Sequence, residues 1–143
     1  MPANGILDAI REPYALADDA RAEPLGNGHI NETVLVRSGA RRLVAQRVNT
    51  AVFRDPGVLV HNARLIEKRL EDKPGSLRVV RHLPGADGRF LYGPDSNVRV
   101  LEYVAESRSI EVLETVDQAY RAARAFARFS GQLADFDHAA MKT

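Results

Sequence analysis

TVLVRSGARRLVAQRV, Thr33 to Val48, is the stretch that decides the fold. Thr33–Arg37 is rich in β-branched residues, Ser38-Gly39-Ala40-Arg41 has turn chemistry, and Arg42–Val48 is β-rich again. Two such runs around a glycine-bearing turn predict a β-hairpin. Side chains alternate along a strand, so Ala45 and Arg47 share one face while Val44 and Gln46 share the other.

Downstream, Asp55-Pro56 reads as a helix start, with an N-cap acid followed by proline at the first helical position. Leu59, Ala63, Ile66 and Leu70 recur at helical spacing to about Asp72, where Pro74-Gly75 ends the run. Leu77–Leu83, Arg89–Tyr92 and Val98–Val104 are strand candidates joined by the turn-rich PGADG and GPDSN. Thr115-Val116-Asp117-Gln118 is a capping box opening a helix to about Phe136. Upstream, residues 6 to 20 form a short helix interrupted at Pro13. The expected fold is α+β: an antiparallel sheet of about five strands with one inserted helix, then a C-terminal helix.

The bulk composition excludes several function classes. The 143 residues suit one domain, and a net charge of +1 gives no bulk attraction to nucleic acid or an anionic membrane. Arg121, Arg124 and Arg128 on the last helix are read as a solvated face. No run approaches a membrane span and no signal-peptide core is present, so a cytoplasmic protein is expected. Cysteine is absent, the four histidines have no metal-ligand spacing, and neither Gly-x-Ser-x-Gly nor a Walker motif occurs.

PLGNGHINET, residues 24 to 33, precedes the hairpin. Its Gly26 and Gly28 let main-chain N–H groups approach an anion, although a plain turn would use the same residues. Beneath it, a small Ala45 and a cationic Arg47 on one strand face suit a nucleotide, as in the kinase Val-Ala-Ile-Lys motif with arginine for lysine. VLEYV, Val100–Val104, then resembles a kinase hinge, with Leu101 limiting depth, a Glu102 carbonyl and a Val104 N–H facing a base. In kinases a glutamate on the inserted helix holds the cation. Here charge favours Glu67, at the margin of the apolar stripe, and position favours Asn62, within it.

In that order the segments resemble the aminoglycoside phosphotransferase and choline kinase-like small-molecule kinases, closest to kinases of the anomeric hydroxyl of N-acetylhexosamines. GNGHINET, QRVNTAVFRDP, HNARLIEKRL, RVLEYV and QAYRAARAFARFSGQLADFD carry the likeness from about Glu23 onward. The resemblance implies a protein kinase-like N-terminal lobe over 1–104, a hinge over 105–114, and the first helix of a second lobe over 115–143. It also implies ATP as cofactor, a sugar as acceptor, and magnesium. Asn31 belongs to the loop that covers the nucleotide, and His29 and Glu32 would reach sugar hydroxyls, with Glu32 standing where aspartate is usual. The family's His-x-Asp-x-x-x-x-Asn loop and later Asp-bearing strand are missing, and the sequence stops at AMKT where the family continues. A lobe without catalysis of its own is therefore expected, with a nucleotide-binding or protein-interaction remnant as the alternative. Tyr120, Ala123, Phe126, Phe129, Leu133 and Phe136 give the last helix a broad apolar face, from which a homodimer through residues 116 to 136 is expected.

Overall fold

The computed structural model describes residues 2–26, 28–73, 75 and 77–143. Helix α1 (Pro2–Arg11) is followed by β1 (Arg21–Pro24), β2 (Glu32–Ser38), β3 (Arg41–Arg47), helix α2 (Pro56–Glu71), β4 (Leu91–Tyr92), β5 (Val98–Glu102), helix α3 (Val116–Gln132) and a closing 3₁₀ turn, His138–Ala140. The five strands form one antiparallel sheet in the order β1-β2-β3-β5-β4. The α+β arrangement with an inserted helix and a C-terminal helix is thus present. No helix of the described residues is long and apolar enough to cross a membrane.

The predicted hairpin is β2–β3, and Val34, Val36, Leu43 and Ala45 turn one of its faces inward. Ile6, Leu7 and Ile10 of α1 pack there with Val98 and Val100 of β5, which forms the main core. The helix stops at Arg11 rather than continuing to residue 20, because Pro13 disfavours the helical region for Glu12 and provides no N–H. Tyr14 then stacks edge-on against Tyr92 at 5.6 Å and donates to Leu83 O at 2.6 Å, closing the N-terminal segment onto the sheet.

Both predicted caps are present. Asp55 accepts from the Gly57 and Val58 N–H groups at 2.8 and 3.2 Å, and Thr115 and Gln118 bond reciprocally. The Pro74 stop signal lies outside the described residues; α2 itself ends with Asp72 as its C-cap. The five strands are not all the expected ones. Leu77–Leu83 is irregular, and among the described residues its backbone pairs with β5 at a single bridge, His82 to Leu101. The fifth strand is β1 instead, an edge strand with a proline at its end, where a missing ladder donor is tolerated.

Candidate functional site

The glycine segment is the loop of the β1–β2 hairpin, closed by Leu25 N–H donating to Thr33 O at 2.9 Å. Gly26 has φ +76°, a conformation that glycine adopts without strain. A cleft of about 430 Å³ opens beneath, lined by Leu25, Gly26, Val44, Val80, Leu101, Glu102, Tyr103, Val104, Ser107 and Ser109. It therefore brings together Gly26, Leu101, Glu102 and Val104 of the residues expected from sequence. The chain leaves the sheet after Glu102, and Glu106 turns it with φ +54°. The Glu102 carboxylate meets Arg78 at 2.9 Å and Arg81 N–H at 3.1 Å, strapping the irregular 77–83 segment across the rim.

The strand face is corrected. Ala45 is 0% exposed within the α1-side core, so no room for a ligand remains above it. Val44, one residue away and on the other face, lines the cleft. Arg47 goes with Ala45: it pairs with Glu32 at 2.8 Å, and α1 passes so close that a Cβ on Gly5 would lie 3.0 Å from Arg47 Nη2. Alternation was read correctly, and the cleft opens on the Val44 side of the strand, opposite Ala45.

Neither Asn62 nor Glu67 holds Arg47. Asn62 is bound on the outer side of α2, exchanging hydrogen bonds of 2.9 Å with the Lys142 backbone. Glu67 is 3% exposed and sits on the buried face of α2 with Val60 and Leu70. Its Oε1 accepts from His82 Nδ1 at 2.5 Å and from His82 N–H at 3.2 Å, while Oε2 accepts from Arg64 at 2.9 Å. Beyond His82 the chain of bonds continues across the sheet. Arg99 Nη1 donates to His82 Nε2 at 3.0 Å, Arg99 Nε and Nη2 donate to Gln46 Oε1 at 3.0 and 2.7 Å, and Gln46 Nε2 donates to Thr33 Oγ1 at 2.9 Å.

This geometry fixes the imidazole. A guanidinium can only donate, so Nε2 of His82 is the acceptor and Nδ1 carries the hydrogen toward Glu67. Burial is the main force pushing the His82 pKa down; Glu67 opposes it and Arg99 and Arg64 add to it, leaving the net shift downward. His82 is thus neutral, wedged between a carboxylate and a cation.

The loop residues divide. Asn31 Oδ1 accepts from Asn49 N–H at 2.9 Å, and Glu32 pairs with Arg47, so Gly-His-Ile-Asn and Gln-Arg-x-Asn meet in space. They flank a second hollow of about 270 Å³ with Ile30, Val48, Thr50 and Asn97. Gly28 and His29 are exposed on the loop. Sequence reasoning missed Leu25, Val44, Val80 and Tyr103 as cleft residues, and Gln46, His82 and Arg99 as a hydrogen-bonded row beside it. The available signal was two polar side chains, Gln46 and Arg99, paired across apolar strands.

Helix α3 contributes no buried residue. Its end is tied to α2 through Asp135, which meets Arg69 at 2.6 Å and Lys73 at 2.7 Å. Phe126 is 72% and Val116 88% exposed, while Phe129, Leu133 and Phe136 are half-buried. Among the described residues no group of three or more His, Asp or Glu side chains is arranged to hold a metal. No protein-family model matches the chain.

Proposed function

We propose that this chain is the nucleotide-binding lobe of a small-molecule kinase, of the kind that phosphorylates a sugar such as an N-acetylhexosamine, with ATP in the cleft beneath the glycine loop. One observation carries the reading: Gly26, Leu101, Glu102 and Val104, chosen for kinase-like roles, line a single cleft with Val44. Apolar side chains beside exposed backbone groups suit a flat heteroaromatic base. Leu25 and Val44 would cover its faces, Leu101 would close the back, and the chain from Glu102 to Val104 would offer main-chain groups to its edge. The sequence contains no His-x-Asp-x-x-x-x-Asn run, and among the described residues no group of three or more His, Asp or Glu side chains is placed to hold a metal, so the proposal stops at binding and routes no step through a metal. Calorimetric titration with ADP and adenosine tests it. Saturable binding with a Kd between about 1 μM and 1 mM supports the reading, corresponding to roughly 4 to 8 kcal/mol. Absence of binding for both ends it.

A second reading has its own observation. Val112, Val116, Tyr120 and Phe126 leave an apolar stripe on and before α3 that is at least 62% exposed at every position. Glu114 lies just before the helix and Asp117 in its first turn, with Arg124 and Arg128 toward its end. Antiparallel pairing with a second copy would set those opposite charges against each other and cover the stripe. Sedimentation should then give twice the chain mass, reverting to the monomer after Phe126→Glu. A monomer at all concentrations excludes the pairing.

A further inference from the structure

On the cleft face two cross-strand rows lie side by side. Leu35, Val44 and Leu101 pair across β2, β3 and β5, and the next row toward the glycine loop is Thr33, Gln46 and Arg99. Successive rows on one face are about 7 Å apart along the strands. That is the order of the span a ribose places between a base and its first phosphate. The apolar row provides Val44 and Leu101 to the cleft, and the polar row ends in a cation.

Arg99 is half-buried, and among the described residues no carboxylate lies within ion-pair distance of it. Its hydrogen bonds go to two neutral acceptors, the Gln46 amide oxygen and His82 Nε2. Glu67, the nearest compensating charge in that chain of bonds, stands behind the imidazole. A guanidinium withdrawn from water without a direct counter-ion attracts an anion. Nη1 and Nη2 each make one of the recorded bonds and each retain a second N–H. Gln46 and His82 fix the plane of the guanidinium, and Glu67 fixes His82. Thr33 Oγ1 accepts from Gln46, so its own hydrogen can be donated elsewhere.

We propose that Arg99, held in place by Gln46 and His82, is the cation that meets the phosphates of a nucleotide in the cleft. This rests on the nucleotide reading above. Arg47, the cation first suggested by sequence, is on the α1 side and already neutralised by Glu32.

The experiment compares adenosine with ATP in the full chain. In the unaltered protein ATP should bind roughly 10- to 100-fold more tightly than adenosine, the increment of one or two charge-assisted hydrogen bonds. Arg99→Gln should erase that preference and leave adenosine affinity in place. As a readout independent of any substitution, the Arg99 Nε–H resonance should move with ATP and stay put with adenosine. If adenosine fails to bind the unaltered protein, the nucleotide reading itself falls. If adenosine binds but the ATP preference survives Arg99→Gln, or is lost instead in Arg47→Gln, or ATP leaves the Arg99 signal unmoved, Arg99 is not the phosphate ligand and the cleft reading stands without it.

Discussion

Glu67→Ala should destabilise the chain by about 3 kcal/mol, the size expected when one partner of a buried hydrogen-bonded charge network is removed. The substitution leaves His82 Nδ1–H and the His82 backbone N–H without their acceptor inside the protein. It also removes the negative charge that stands behind the His82–Arg99 contact. Glu67→Gln retains an acceptor oxygen and should lose about 1 kcal/mol. Urea midpoints with unchanged slopes would measure both; equal, small losses would mean that the network contributes little. The same network gives stability a pH dependence. The folded-state pKa of His82 is below its ordinary value, so between the two the unfolded chain binds the extra proton. The neutral form's contribution is complete above the unfolded pKa of about 6.5 and declines as pH falls toward the folded pKa. His82→Gln should flatten that part of the profile.

Val44→Glu should abolish detectable adenosine binding while leaving the fold intact. Val44 is half-exposed on the cleft wall, so a carboxylate there can reach water in the empty protein. With a base in place it would be desolvated, at several kcal/mol, enough to weaken binding more than about a hundredfold. Ala45→Leu should do the opposite. It overpacks a closed core among Val34, Val100 and α1, destabilising by about 1–3 kcal/mol, with the affinity of the folded fraction preserved. The pair separates the two faces of one strand: affinity lost at position 45 and kept at 44 would restore the other face as the ligand side.

Those two residues also mark where sequence reasoning reached its limit. Alternation divides Val44 from Ala45 with certainty, because the strand period is two. It cannot tell which half faces a ligand when both faces of the sheet are covered. Here α1 covers one, with Ile6 and Ile10 fully buried, and α2 reaches the other through Glu67 and His82. The caps at Asp55 and Thr115 were legible because their chemistry is local, complete within four residues. The buried face of α2 was misplaced because a carboxylate occupies its middle. Hydrophobic periodicity sets Glu67 at the margin of the apolar stripe, although a partner 15 residues away makes it core. β1 was missed since four residues with no buried position carry no alternating pattern, and only pairing with β2 makes them a strand. The reverse happened at Leu77–Leu83, whose β-branched pair suggests a strand. Its polar side chains are instead engaged as straps, Arg78 and Arg81 on Glu102 and His82 on Glu67.

The most direct test of nucleotide binding in the cleft is a residue-resolved amide titration of the full chain with ADP. The account predicts concerted, saturating shifts at Gly26, Val44, Leu101, Tyr103 and Val104, with residues 116 to 132 silent. Shifts confined to α3, shifts confined to the hollow around Ile30, Arg47 and Thr50, or no shifts at all would contradict it.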